Sequence, residues 1–109
     1  MSRVKTLVLV FSLSLVSLFA QARNQDTVIL DVRTPQERQV AIIPGSIHVD
    51  FYAHDFETQI VKLDPNKNYR VYCRSGNRSQ RTIEFMRQKG FKNLENLGSL
   101  EEARERLKH

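Results

Sequence analysis

The sequence predicts an α/β domain that is built on a parallel β-sheet. Short apolar runs rich in β-branched residues alternate along the chain with segments whose apolar residues recur at helical spacing, and this alternation is typical of parallel sheets. The first such run, residues 27–32, has the composition of a strand that is buried on both faces. The chain has 109 residues, which corresponds to a single domain.

Residues 1–22 are predicted to be a cleavable signal peptide. The first five residues carry two basic side chains, and residues 7–19 are all apolar or serine, a run that is short for a membrane span. Small residues at 20 and 22 then match a signal-peptidase site. We therefore expect cleavage after Ala22 and a periplasmic protein that begins at Arg23 and keeps no stable membrane anchor. An uncleaved anchor is the alternative interpretation.

The first strand is followed by signals for a helix, a turn and a second strand. Residues 34–37 begin a short helix, with Pro35 at an early helical position that suits proline. Pro44 and Gly45 predict a turn, and residues 46–49 can form a short strand.

A second helix is predicted from the spacing of its apolar residues. Phe56, Ile60 and Leu63 lie four and then three residues apart, which places them on one helical face. Asp55 is the expected N-cap, and Pro65 is expected to end the helix.

The next strand, residues 69–73, ends at the only cysteine of the chain, Cys73. A polar loop that contains a glycine follows it and leads into a predicted helix over residues 79–89, with Gly90 at the position after the C-cap. A last short strand is predicted within residues 91–97. Ser99 and Glu102 then form a capping box that opens a terminal helix.

Cys73 is the candidate reactive group. Ligands in open α/β sheets bind beyond the carboxyl ends of the strands, and the loop before a helix can direct several backbone N–H groups to one point. Those groups, the helix dipole and the cations Arg74 and Arg78 favour a thiolate over a thiol. Two alternatives are a buried core thiol, which the polar neighbours of Cys73 argue against, and a phosphate-binding loop, which lacks its Gly-Lys-Ser/Thr sequence.

Composition gives little support to redox pairs, metal sites or nucleic-acid binding. A single cysteine cannot form an internal disulfide or a C-x-x-C pair. His48, His54 and His109 are not spaced as a ligand pair, so no metal or other cofactor is expected. Two charges of the net +5 lie in the predicted signal peptide, and the remainder is spread along the chain, so no nucleic-acid partner is expected.

Three blocks of the chain resemble the rhodanese family, and they are supported by the tail at residues 94–103. The blocks are residues 31–37 (Asp-Val-Arg-Thr-Pro-Gln-Glu), 43–49 (Ile-Pro-Gly-Ser-Ile-His-Val) and 71–79 (Val-Tyr-Cys-Arg-Ser-Gly-Asn-Arg-Ser). Together they cover nearly all of the chain after the predicted signal peptide. With that export signal, the chain most resembles the periplasmic single-domain thiosulfate sulfurtransferases of the phage-shock protein E type.

The resemblance implies a rhodanese-like fold over residues 23–109, a small parallel sheet with helices on both faces. It implies that Cys73 is the nucleophile that carries a persulfide. It also implies that Asp31 and Arg33 shape the active-site loop and take no part in the chemistry. The loop that holds the sulfur and binds substrate consists of Arg74, Ser75, Gly76, Asn77, Arg78 and Ser79, of which Arg74 and Arg78 are the expected partners of an anionic donor.

The chain departs from the family pattern in segments outside the loop. Arg38 stands where the family usually has an aromatic residue, and Ala41-Ile42 stand where it usually has Gly-His. Near the tail, Ser99 and Ala103 replace a common glycine and tryptophan.

The function expected from this resemblance is thiosulfate sulfurtransferase activity. The donor is thiosulfate or another sulfane-sulfur compound, and the acceptor is cyanide or a thiol. Because the chain has no second cysteine, the acceptor must come from outside. The main alternative is a sulfur-carrier or sensor module that passes sulfur to a protein partner with little turnover. Phosphatase or arsenate reductase activity is less favoured, since related phosphatases have a Cys-x5-Arg loop and this chain has Cys-x4-Arg.

Overall fold

The computed structural model describes residues 27–108. The predicted signal peptide, its cleavage site at Ala22 and the terminal His109 lie outside the described residues. The elements, in chain order, are β1 (Thr27–Asp31), α1 (Pro35–Val40), β2 (Ile47–His48), α2 (Phe56–Val61), β3 (Asn68–Tyr72), α3 (Asn77–Gln88), β4 (Asn93–Gly98) and α4 (Leu100–Leu107). Among the described residues, no helix has the length and apolar character needed to cross a membrane.

The four strands form one parallel sheet in the order β2-β1-β3-β4. Leu30 of β1 pairs with Ile47 on one side and with Val71 on the other. After β2 the chain therefore crosses β1 to reach β3. The connection that follows β1 and the connection that follows β3 lead to opposite edges of the sheet, so the strand order switches between these two strands. In open α/β sheets this switch point is where ligands bind, and it lies beside Cys73.

Helices cover both faces of the sheet, as expected. On one face, α2 and α3 contribute Phe56, Ile60, Ile83 and Met86 to a core that includes Leu30 and Val71. On the other face, Leu100 and Ala103 of α4 pack with Ile43, Tyr72 and Leu97. The α/β class, the parallel sheet and the two-sided arrangement of helices are all confirmed.

Several element boundaries differ from the predictions. β2 is two residues long because the N–H and the hydroxyl of Ser46 both bond to the carbonyl of Ile43, which keeps Ser46 in the turn. α2 ends at Val61, before Leu63 and Pro65. Asp55 precedes α2, but its carboxylate accepts a hydrogen bond from the Gln59 side chain (2.8 Å) and caps no backbone N–H.

The start of α3 has consequences for the cysteine loop. The helix begins at Asn77, two residues before the predicted start, with Gly76 as its N-cap. Gly76 has a φ of +97°, a left-handed conformation that glycine adopts without strain, and its carbonyl accepts the first helical bond from Gln80 (3.0 Å). Asn77 and Arg78 therefore belong to the first helical turn.

The predicted signals for helix starts and ends are present at three helix ends. Gly90 ends α3 in a Schellman motif, since its N–H bonds to Arg87 and the following N–H bonds to Met86. Ser99 and Glu102 cap α4 reciprocally, and Pro35 occupies the first turn of α1. α1 also begins with a capping box between Thr34 and Glu37. The Thr-x-x-Glu pattern of such a box is present in the sequence, but we did not predict it.

Candidate active site

Cys73 lies one residue beyond β3, and its N–H bonds to the carbonyl of Gly98 at the end of β4 (3.0 Å). The following loop folds back over the sulfur. The N–H groups of Gly76 and Ser79 point at Sγ, at 3.0 Å and 3.4 Å. Two converging N–H groups at the start of a helix form an anion site of the kind that the loop sequence predicts.

The Cys73 side chain is fully buried, with 0% exposure, and it belongs to the core on the α3 face. From the sequence we expected a partly exposed thiol, because its neighbours are polar. That expectation was wrong, since Arg74, Ser75 and Asn77 turn their side chains to solvent while Cys73 and Ser79 face inward.

Burial and hydrogen bonding act on the thiol in opposite directions. Burial raises the pKa of Cys73, whereas the Ser79 hydroxyl and the N–H groups of Ser79, Ser75 and Gly76 lower it by more, so the pKa lies below its ordinary value. The stabilisation comes mainly from hydrogen bonds to the anion, which favour the charged form.

We expect the ionisation of Cys73 to be measurable by alkylation. The rate of reaction with iodoacetamide should rise with pH and reach its midpoint below about 8.5, the value of a free thiol. Because Cys73 is the only cysteine of the chain, all of the measured cysteine alkylation can be assigned to it. A midpoint at or above the free value would contradict the hydrogen-bond pattern described for Sγ.

Arg78 is not a free cation beside the sulfur. Its guanidinium forms a two-bond ion pair with the Glu37 carboxylate (2.8 and 2.9 Å), and its Cζ lies 5.5 Å from the centre of the Tyr52 ring. The pKa of Glu37 falls to about 2, chiefly through the hydrogen bonds from Arg78. The expectation that Arg78 offers its charge to the donor is therefore revised, since Arg78 ties the loop to α1.

Arg74 is the cation that stays available next to Cys73. Its side chain is exposed and, within residues 27–108, has no hydrogen-bond or ion-pair partner. It lines a cleft of about 330 Å³ between α1 and the start of α4, together with Arg33, Glu37, Leu100 and Glu101.

Asp31 and Arg33 lie in a buried polar cluster on the other face of the sheet from Cys73. The Asp31 carboxylate accepts hydrogen bonds from the Arg33 guanidinium (2.9 Å), the Arg38 guanidinium (2.8 Å) and the Tyr72 hydroxyl (2.8 Å). Burial raises the pKa of Asp31, and the bonds from Arg33 and Tyr72 lower it by more, so its pKa is below the ordinary value. Arg38, one of the departures from the family pattern, is thus a second cation on this carboxylate.

The Asp31 cluster holds α1 and the turn that follows it. Arg33 donates to the carbonyl of Ala41 (2.6 Å), and the Tyr72 hydroxyl accepts from the N–H of Ile43 (3.1 Å). Asp31 and Arg33 make no hydrogen bond to residues 73–79. They connect to the cysteine loop through α1, whose Glu37 pairs with Arg78, and through Tyr72, which directly precedes Cys73.

Asn96 is a site residue that the sequence did not indicate. It lies near the carboxyl end of β4, and its amide contacts Ser79 and Gly76 of the cysteine loop (2.6 and 3.0 Å). Its only sequence signal is a polar side chain near the carboxyl end of a strand, which becomes informative once β3 and β4 are known to be neighbours.

A family model and several named relatives match this chain. The family model of the rhodanese-like domain matches residues 15–105, a span that starts inside the predicted signal peptide. The chain is 38% identical over 76 residues to the thiosulfate sulfurtransferase GlpE of Pseudomonas savastanoi pv. phaseolicola, covering 69% of this chain and 70% of that protein.

Other relatives differ in length and in name. A tRNA sulfurtransferase of Haemophilus ducreyi is 28% identical over 75 residues, and the match spans 67% of this chain but 16% of that protein. A Bacillus subtilis protein with the provisional name sulfur carrier protein YrkF is 35% identical over 69 residues, which cover 63% of this chain and 36% of the relative.

Solved structures show the same fold. A rhodanese with anions from E. coli superposes with a TM-score of 0.59 at 27% identity, covering 70% of this chain and 89% of that one. A protein from Staphylococcus saprophyticus gives a TM-score of 0.61 at 28% identity, with coverages of 70% and 74%. The chain belongs to the rhodanese-like domain family of sulfurtransferases.

Proposed function

We propose that the protein is a thiosulfate sulfurtransferase that works through a persulfide on Cys73. The observation that carries the proposal is the position of Sγ, which accepts hydrogen bonds from the N–H groups of Gly76 and Ser79. These donors stabilise a thiolate, and a thiolate is the form of cysteine that attacks sulfur.

The reaction proceeds in two displacements. The Cys73 thiolate attacks the outer sulfur of thiosulfate, an S–S bond forms, and sulfite leaves with the electron pair of the bond that breaks. A nucleophilic acceptor, either cyanide or a thiolate, then attacks the outer sulfur of the persulfide. It takes that sulfur as thiocyanate or as a new persulfide, and Cys73 returns to the thiolate, so ping-pong kinetics are expected.

The geometry of the loop favours a single sulfur atom over a phosphate. The N–H groups of Gly76 and Ser79 converge on Sγ itself. The Cys-x4-Arg spacing encloses less room than the Cys-x5-Arg loops of related phosphatases. A phosphate ester should therefore be turned over far more slowly than thiosulfate.

We expect the replacement of Arg74 by alanine to weaken catalysis without abolishing it. Thiosulfate is a dianion, and a charge-assisted contact is worth roughly 1.5–3 kcal/mol. Arg74→Ala should therefore lower kcat/KM for thiosulfate by about tenfold to a hundredfold, at about 1.4 kcal/mol for each factor of ten. The matched control is Arg87→Ala, which removes an exposed arginine from the far end of α3. Equal effects of the two substitutions would show that Arg74 has no specific role.

The experiment that tests the function is sulfur loading followed by turnover. The purified protein is incubated with thiosulfate, and its mass should increase by one sulfur atom located on Cys73. Cyanide should then release that sulfur as thiocyanate, and with thiosulfate still present each protein molecule should complete many turnovers. No mass increase with thiosulfate would overturn the proposal.

The carrier function is the second candidate, and the name of the Bacillus subtilis relative supports considering it. A carrier and an enzyme share the chemistry at Cys73, so loading does not separate them. Loading with thiosulfate but no repeated release to cyanide or small thiols would identify a carrier that needs a protein partner.

We further propose that the protein works in the periplasm. The proposal rests on the basic start, the apolar run at residues 7–19 and the small residues before Arg23. N-terminal sequencing of the exported protein should begin at Arg23. Recovery of a mature form that still contains residues 7–19 would contradict both the cleavage and the absence of a membrane anchor.

A further inference from the structure

The hydroxyl of Ser79 has more acceptors around it than it has protons. Its Oγ lies 2.6 Å from Asn96 Oδ1, 3.0 Å from the carbonyl oxygen of Gly76 and 3.5 Å from Cys73 Sγ. A serine hydroxyl donates one hydrogen bond and can accept two. Its single proton can therefore be donated to only one of these three neighbours.

The Asn96 amide can take only one orientation. Its Oδ1 faces the N–H of Gly98 (2.9 Å), which requires an acceptor, and its Nδ2 faces the carbonyl of Gly76 (3.0 Å), which requires a donor. The Gly76 carbonyl also accepts from the Gln80 N–H (3.0 Å), so its two lone pairs are occupied. The proton of Ser79 is thereby directed to Asn96 Oδ1, the nearest acceptor.

This arrangement assigns a different hydrogen bond to each form of the cysteine. While the Ser79 proton points at Asn96, a lone pair of Oγ faces Sγ and accepts from the neutral thiol. When the thiol proton is lost to water, the hydroxyl turns and donates to the thiolate. Asn96 Oδ1 then still accepts from Gly98, so no buried polar group is left without a partner.

We propose that Asn96 is a positioning residue of this site: it holds the Ser79 hydroxyl so that Oγ accepts from the neutral Cys73 thiol, and it keeps its own hydrogen bond to Gly98 when the hydroxyl turns to donate to the thiolate. This inference deepens the proposed function. It rests on that function in one respect, which is that both involve the Cys73 thiolate. Asn96 acts through Ser79 and through the carbonyl of Gly76, and it does not touch the sulfur.

Few charged groups lie around the cluster formed by Cys73, Ser79 and Asn96. Arg78 and Glu37 neutralise each other in their ion pair, and Arg74 is exposed. From α4, the Arg106 guanidinium donates to the backbone carbonyl of Asn96 (3.0 Å), and the Glu102 carboxylate accepts from the N–H of Ser99 (3.2 Å). Tyr52 lies against Arg78. Within the described part of the chain, none of these groups forms a hydrogen bond to Ser79 Oγ or to Sγ.

The test replaces Asn96 by aspartate and measures the ionisation of Cys73 by alkylation over about pH 5–10. In Asn96→Asp a carboxylate holds the Ser79 proton more strongly, the donor to Gly76 is lost, and a negative charge lies within about 6 Å of Sγ. We expect the alkylation midpoint to rise by about one to two pH units. Well above the midpoint the rate should level off, because the thiolate is then fully formed.

Two further substitutions, Asn93→Asp and Ser79→Ala, separate this role from a merely structural one. Asn93→Asp adds the same charge at the exposed start of the same strand, and it should leave the midpoint unchanged. In a Ser79→Ala background, the shift caused by Asn96→Asp should shrink, because the hydroxyl that transmits part of it is absent. Ser79→Ala alone should also raise the midpoint, since the thiolate loses a donor, and this variant still tests the hydroxyl through which Asn96 acts if Asn96→Asp does not fold.

The outcomes are distinguishable from those of the sulfur-loading experiment, because alkylation needs no sulfur donor. An Asn96→Asp midpoint equal to that of the wild type, or lower rates at every pH with an unchanged midpoint, would overturn the positioning role while sulfur loading stays intact. A Ser79→Ala midpoint equal to that of the wild type would overturn it as well. Failure of thiosulfate to load the wild type would overturn the proposed function and leave the alkylation result standing.

Discussion

Cys73→Ser is expected to abolish sulfur transfer from thiosulfate completely. A serine hydroxyl is not appreciably ionised at neutral pH, so it does not attack the outer sulfur of thiosulfate, and it cannot carry a persulfide. The N–H groups of Gly76 and Ser79 remain in place and can still attract an anion, but no atom is left to accept the sulfur. Thiocyanate production from thiosulfate and cyanide should fall to the level without enzyme.

The loss should not come from unfolding. The substitution removes little volume, and the new hydroxyl oxygen can accept the hydrogen bonds that Gly76 and Ser79 now donate to Sγ. We expect the free energy of unfolding in urea to change by only about 1 kcal/mol, in the ordinary range for single substitutions. Turnover at the wild-type rate in a folded Cys73→Ser protein would show that the sulfur is carried elsewhere.

Much of the fold and the place of the nucleophile could be predicted from the sequence because they depend on local patterns. The run that ends at Cys73 has the composition of a buried strand, and the glycine-containing loop after it predicts a turn into a helix. Strand, cysteine and helix follow each other directly along the chain. Their order therefore places the thiol at the carboxyl edge of the sheet without any knowledge of distant contacts.

The partners of the loop could not be predicted, because they come from distant parts of the chain. Glu37, which pairs with Arg78, is 41 residues away, and Asn96 is 17 residues from Ser79. These contacts depend on how α1 docks and on β4 lying beside β3. The burial of Cys73 was missed for a different reason: a polar sequence does not show which side chains a folded loop turns outward.

The replacement of Asp31 by asparagine is expected to destabilise the fold more than any surface change. Asp31 is fully buried and accepts hydrogen bonds from Arg33, Arg38 and Tyr72. An amide keeps the shape but removes the charge, so the buried guanidinium of Arg33 is left without a counter-ion. Breaking a buried pair in this way costs about 3–5 kcal/mol. That is a large part of the 5–15 kcal/mol of a typical domain, and it should appear as a lower urea midpoint.

A control variant and the pH dependence show whether the lost Asp31 carboxylate causes the lower stability of Asp31→Asn. Glu95→Gln breaks the exposed pair with Arg70 and should cost no more than about 1 kcal/mol. The pKa of Asp31 is lowered in the folded protein, so its contribution is present above the unfolded pKa of about 3.9 and is lost as pH falls through the folded value. The difference between wild type and Asp31→Asn should therefore be full at pH 7 and shrink below about pH 4. An Asp31→Asn protein as stable at pH 7 as Glu95→Gln would show that the carboxylate does not hold α1 against the sheet.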